Sequence, residues 1–312
     1  MAGYLFKRAA ASLIVIFAVI TLTFVIMHAI PGSPFAGEKN LPPAVRKNIT
    51  RKYALDQPVW RQYKTYISNL AVGDLGSSLR YGRRVNSIIG ESFPVSAALG
   101  LAAVSLSLLI GIPAGIIAAL RANKRADRAV TLLATAGLSI PNFVTASLLI
   151  YIFSVKLKLL PASFWGTPRH FILPVLSLTL LPASVIMRLT RSGVLEVLQQ
   201  EYIVAARARG LSNCRILTKH VLRNAISPLV SYLGPLIAEI LMGSFVIEHI
   251  FAIPGLGRYF VNSVFNRDYT LIMGLVVFYT TLLVIMNLVV DLAYSLTDPR
   301  IRLRSWRYEA AK

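Results

Sequence analysis

Residues 96–120 read SAALGLAAVSLSLLIGIPAGIIAAL. The only polar side chains in this run are the hydroxyls of Ser96, Ser105 and Ser107. A helix rises about 1.5 Å per residue, so the run is long enough to cross a hydrocarbon core roughly 30 Å thick. Inside lipid an unpaired backbone N–H or C=O costs several kcal/mol, so the segment must be helical there. Five more apolar runs flank it: Ala9–Ile30, Ala129–Val155, Phe171–Met187, Leu229–Phe251 and Leu271–Tyr294. Together they predict an all-α polytopic membrane protein with six transmembrane helices. Phe171–Met187 is the shortest and contains Pro174 and Pro182, while Pro141 predicts a kink or break in Ala129–Val155. Composition agrees, since 55% of the 312 residues are hydrophobic and the mean hydropathy is +0.63. Lys7 and Arg8 precede the first run as they would in a signal peptide. The run is longer than the roughly 7–15 residues of a signal core and no small-x-small site follows, so we read a retained helix.

The formal net charge is +20. Much of it flanks the apolar runs, with no separate basic stripe interleaved with aromatics, which argues for a membrane protein and against nucleic acid. Eighteen basic residues fall at the N-terminus, after the second run, in 188–228 and at the C-terminus, against five in the short loops opposite. That asymmetry predicts both termini and the 188–228 segment in the cytoplasm. Residues 31–95 carry ten basic residues on the outer side, which long loops tolerate. The prolines of this loop, its helix-like Ala44–Tyr53 and its aromatics (Tyr53, Trp60, Tyr63, Tyr66) predict an ordered external subdomain. The chain divides into 1–30 (cytoplasmic end and first helix), 31–95 (external loop), 96–294 (membrane core) and 295–312 (cytoplasmic tail). A lone Cys214 excludes an internal disulfide and reads as a small buried side chain.

The remaining long connection runs for about 40 residues from Arg188 to Pro228. Val194–Arg209 places Leu195, Leu198, Tyr202, Ala205 and Ala206 at roughly helical spacing, with basic residues on another face. Gly210 ends that helix and Ile216–Ile226 makes a second, with Lys219, His220 and Arg223 exposed. Spacing alone fits either a helix–turn–helix knob or a helix pair lying on anionic lipid.

This segment resembles the "EAA" coupling loop of ABC-importer permeases, the binding-protein-dependent transport components of bacterial inner membranes. Val204 stands at the glutamate position, and Ala206-Arg207-Ala208-Arg209-Gly210-Leu211 matches the peptide-importer branch. Other runs are similar to the first permease subunit of oligopeptide importers. They are Pro31–Glu38 with Leu41-Pro42-Pro43, Gly73–Ser78, Ser139–Phe143, Ile253–Gly257, Asn266–Thr270 and Asp298-Pro299-Arg300. The resemblance implies a type I importer permease fold in the bacterial cytoplasmic (inner) membrane. It implies a second permease subunit, two ABC ATPase subunits that bind ATP and Mg, and an external peptide-binding protein. Tyr202, Ala205, Ala206, Arg207, Arg209, Gly210 and Leu211 would then meet the ATPase subunit, while Arg46, Lys47 and Arg51 would steer the binding protein. Dipeptide, nickel and glutathione permeases share these motifs and are the alternatives.

Among ionisable and polar groups in the apolar runs, Glu239 lies in the fifth, and Asn287 and Asp291 in the sixth. Such groups face a cavity, a partner or the bundle interior. Glu239 and Asn142 are the candidate path residues, with a helix–helix hydrogen bond the other reading of Glu239. No P-loop occurs, Gly255-Leu256-Gly257 lacks a βαβ context, and the four histidines have no metal-ligand spacing. The chain therefore reads as a permease without an enzymatic or cofactor site of its own, its ATP hydrolysed on another polypeptide. A secondary transporter working alone would need mid-membrane ion sites or inverted repeats, and no repeat relates the halves.

Overall fold

In the computed structural model, residues 2–29, 56–241 and 243–297 are described, and their regular elements are helices apart from a single β-bridge between Ser77 and Arg84. The order is α1 (Ala2–Ala29), α2 (Val59–Ala71), α3 (Val85–Leu120), α4 (Arg125–Ser139) and α5 (Asn142–Leu149), the last continued by a π-helical run Ile150–Lys156. Then come α6 (Pro168–Leu198), α7 (Glu201–Ala208) and α8, which begins at Asn213–Ile216 and passes through a π-turn to Leu222–Ala225. The chain continues as α9 (Ser227–Leu241), α10 (Phe245–Ile250), α11 (Leu256–Phe265) and α12 (Tyr269–Thr297).

Five stretches are long and apolar enough to cross a membrane: Ala10–Ala29, Val85–Leu120, Pro168–Leu198, Ser227–Ile250 and Tyr269–Val289. α4 and α5 with its π-helical extension meet at 102° across Ile140-Pro141, a geometry that fits either a broken sixth span or a re-entrant pair. Proline disfavours the helical conformation in the residue before it, and Ile140 is extended at φ −90°, ψ 119°. Of the kink or break expected at Pro141, the structure has the break.

Three expectations change. The second span begins at Val85, so residues 85–95 belong to a 36-residue helix and not to the external loop. Phe171–Met187 lies in the first two thirds of α6, which is 31 residues long and, at 56%, the most enclosed of the five spans. Pro174 and Pro182 are both buried inside it without ending it, because packing on α3 outweighs their local cost. Cys214 is exposed, not buried. The helix expected at Ala44–Tyr53 lies outside the described residues.

α3 and α6 form the central pair of the bundle. Their closeness is written in glycine. A Cβ at Gly111 would come within 2.7 Å of Ile186 Cγ2, and one at Gly115 within 2.7 Å of the Met187 carbonyl oxygen. Helices in lipid associate through such close packing and through hydrogen bonds between them. Ser107 Oγ accordingly donates to the Ala103 carbonyl at 2.7 Å and to the Thr179 carbonyl, across the pair, at 3.1 Å. A cluster around Leu99, Leu173, Leu178, Ile247 and Phe251 fills one part of the bundle. Another, of Val85, Ile88, Leu256, Leu271 and Leu275, closes one end. At the opposite end Ala119, Val194 and Val197 pack on the 199–226 segment.

Candidate coupling loop and membrane path

The connection between α6 and α9 is built on a buried stripe. Ile203 and Ala206 of α7 and Ile216, Val221 and Ala225 of α8 are each at most 3% exposed and form one cluster with Ala119, Val194 and Val197. The loop is thereby anchored to the ends of α3 and α6. The single helix expected over Val194–Arg209 is two pieces, parted at Gln199-Gln200, because the chain must turn to bring Ile203 and Ala206 onto this cluster. Gly210 turns it back with φ +77°, a left-handed value that a side chain disfavours. The second helix starts earlier than expected, at Asn213, where Ser212 Oγ accepts from the Arg215 N–H at 3.4 Å. Asn224 Nδ2 donates to the Tyr202 hydroxyl at 2.8 Å and joins the two helices across their open side.

The proposed coupling residues divide by face. Tyr202, Ala205, Arg207, Arg209 and Gly210 are exposed. Ala206 is buried beneath them and Leu211 is half-buried against the cluster, so these two support the surface from below. Val204, 59% exposed, also belongs to the open face, although in sequence it stands out only as the residue at the glutamate position. Arg46, Lys47 and Arg51 lie outside the described residues.

Close to this end, Asp127 of α4 and Arg191 of α6 form a two-point ion pair. Nε to Oδ1 is 2.6 Å and Nη2 to Oδ2 is 2.8 Å, with Asp127 only 4% exposed. The Asn123 N–H and Thr131 Oγ1 also donate to this carboxylate. Sequence offered one signal for it, a single acid among the arginines at the start of the run.

In the membrane the two path candidates are far from alike. Glu239 is exposed, two residues before α9 ends, and lines a cavity with Gly243, Phe245, Gly257, Phe260, Val276 and Tyr279. Asn142 opens α5 just past the break, its Oδ1 enclosed with no hydrogen-bond partner among the described residues. Asn287 is half-buried in α12. The side chain of Asp291 is not among those described.

Sequence reading missed Glu248. Its carboxylate is fully buried, accepting from Ser96 Oγ at 2.7 Å and from the Gly257 N–H at 2.8 Å. Ser96 Oγ in turn accepts from the Leu256 N–H at 2.9 Å, so α3, α10 and the start of α11 meet in one knot. Ile253–Gly257 thus acquires a physical meaning, for a Cβ at Gly255 would stand 2.5 Å from both Glu248 Oε2 and Ser96 Oγ. A second knot ties Gly73–Ser78 to Asn266–Thr270. The buried Asp268 carboxylate accepts from Ser78 Oγ, from the Leu79 and Arg80 N–H groups at 3.0 and 3.1 Å, and from the Leu271 N–H at 3.1 Å. Two of the runs carrying the resemblance are therefore the two halves of one contact. Beside it, α2 lies on α1 through Tyr63, whose hydroxyl is 2.7 Å from Thr21 Oγ1, and through stacking of Phe24 with Tyr66.

Known proteins resemble this chain in sequence and in fold. Residues 111–303 match the family described as binding-protein-dependent transport system inner membrane component, and residues 1–100 match that family's N-terminal model. The dipeptide transport system permease protein DppB of Bacillus subtilis is 49% identical over 97% of this chain and 99% of its own length. The oligopeptide transport system permease proteins OppB of Haemophilus influenzae and Escherichia coli K12 are 42% and 43% identical, each over 97% of this chain and 100% of theirs. Among solved structures, the inward-facing MetNI methionine ABC transporter superposes with a TM-score of 0.57 at 19% identity, covering 68% of this chain and 96% of that one. An amino acid ABC transporter superposes at 0.53 and 17% identity, covering 66% and 92%. The fold is that of type I ABC importer transmembrane subunits.

Proposed function

Since the chain belongs to the binding-protein-dependent transport system inner membrane component family, we propose that it forms half of the path by which an ATP-driven importer moves peptides inward. The observation that carries this reading is the anchored loop, which offers Tyr202, Val204, Ala205, Arg207 and Arg209 on a helix whose other face is fixed to α3 and α6. A surface held so firmly can pass a push from a soluble subunit into the spans. The ATPase subunits bind and hydrolyse ATP with Mg, and this chain converts their closure into movement of α6 and α9. A second homologous permease completes the path, and an external binding protein delivers the peptide. The loop and both termini face the cytoplasm, as the basic asymmetry supports. Arg46, Lys47 and Arg51 steer the binding protein from outside.

Peptide is the substrate class we assign, because relatives named for dipeptides and for oligopeptides align with nearly the whole chain. The test is uptake of labelled peptide into proteoliposomes holding both permeases and both ATPases. Uptake should require ATP on the face that carries the loop and its ATPase partners, and a loaded binding protein on the other face. Uptake by this chain reconstituted alone would refute the proposal.

A further inference from the structure

Between α9, α11 and α12 lies a cavity of about 280 Å³. Its wall is made of Phe245, Phe260, Val276 and Tyr279, with glycines at 243 and 257 and one charged group, the Glu239 carboxylate. Neither glycine readily accepts a side chain. Gly243 sits at φ +93°, and a Cβ at Gly257 would come within 2.8 Å of the Phe245 backbone. Among the described residues no cation pairs with Glu239. The hydroxyl-bearing ring of Tyr279 shares the cavity with it instead. An ionisable group placed this way in a span is costly unless something of opposite charge visits it. Aromatic faces around a carboxylate suit an ammonium group, which the rings attract and the carboxylate neutralises. Small-molecule pockets enclose roughly 300–1,000 Å³, so this one has room for about one residue and not for a whole peptide.

We propose that Glu239 is a transit subsite for the terminal ammonium group of a peptide, with the first side chain lying against Phe245, Phe260 and Val276. The inference rests on the peptide-import reading and adds the end of the peptide that the path recognises. A small cavity that reads only the terminal residue serves peptides of differing length, since the remainder of the chain stays outside it.

The test uses the assembled complex of permeases and ATPases in detergent, with no binding protein added, so that the preference of that protein for free amines does not enter. Phe260→p-benzoylphenylalanine sets a photoreactive ring in the cavity wall, and radiolabelled tri-alanine at high concentration is the probe. Labelling of this chain is expected, competed by unlabelled tri-alanine and not by its N-acetyl form. Adding Glu239→Gln should cut labelling by about tenfold, the scale of one lost charge-assisted contact, with Glu239→Asp retaining part of it. Subunits should still co-purify in both variants. Absent labelling, equal competition by the acetylated peptide, or undiminished labelling in Glu239→Gln overturns the subsite. So does loss of co-purification in Glu239→Gln, which would make the carboxylate a contact between subunits. Failure of peptide uptake by the wild-type complex in proteoliposomes would instead refute the transport reading itself.

Discussion

Gly210 and Gly193 are both glycines of the coupling region, and they are glycine for opposite reasons. Gly210 stands at φ +77° with nothing within 4 Å of a would-be Cβ. Its demand is conformational, so Gly210→Ala should cost only about 1–2 kcal/mol of backbone strain, and Gly210→Asn less, since asparagine tolerates the left-handed region. Gly210→Trp has room to fold but projects its ring from the surface we assign to coupling. Peptide uptake per ATP hydrolysed should therefore survive Gly210→Asn and fall steeply in Gly210→Trp at equal membrane level; equal ratios in both variants would take Gly210 out of the coupling surface. Gly193 has ordinary backbone angles and no space. A Cβ there would stand 2.5 Å from the Ala225 carbonyl oxygen, in the backbone of α8. Gly193→Ala should thus lift α8 from α6 at an overpacking cost of about 1–3 kcal/mol. Limited proteolysis within 201–226 should speed up, and an unchanged cutting rate would contradict the contact.

At the scale of elements, α4 and α6 are held by one ion pair close to the anchored loop. Asp127 is enclosed and makes four hydrogen bonds, so removing Arg191 leaves a carboxylate without its counter-charge in a place that water reaches poorly. Arg191→Gln and Asp127→Asn should each lower the thermal stability of the purified complex. The double variant should be less destabilised than the sum of the two, which a double-mutant cycle measures; strict additivity would show that the pair acts as two unrelated side chains. Elements are more legible in the sequence than their ends. Apolar runs of membrane length, a turn at Gly210 and a break at Pro141 are local signals; five of the six runs are spans in the structure and the sixth is the pair bent at Pro141. The parting at Gln199-Gln200 is not local. The stretch 194–209 has no Gly or Pro to signal a stop, and the interruption goes with the burial of Ile203 and Ala206 against α8. Glu239 and Glu248 show the same limit at the site. Both are acids in one apolar run, but the turn at Gly243 between them sends Glu248 into the core and leaves Glu239 at a cavity wall. That separation depends on the Ser96 and Gly257 partners, which lie far from Glu248 in sequence or in a different helix.

The molecule as a whole has two chemically distinct ends. One gathers α2, the Ser78–Asp268 knot and the start of α3; the other gathers the 199–226 loop, the Asp127–Arg191 pair and the ends of α3 and α6. Alternating spans require that these ends face opposite sides of the bilayer. We propose that charge decides which side each faces, the 18-to-5 distribution of basic residues favouring the loop end inside. The structure supplies natural reporters of this orientation. Cys214 is the chain's single cysteine and is exposed on the loop. Lys64 is exposed on α2 at the opposite end. In intact spheroplasts expressing this chain, Cys214 should resist a membrane-impermeant maleimide and react once the membrane is opened by detergent. Lys64→Cys in a Cys214→Ser background should react before the membrane is opened. Rapid labelling of Cys214 with protection of Lys64→Cys would invert the molecule. Coupling would then lie on the side that has no ATP, so the same two cysteines test both the orientation and the proposal that depends on it.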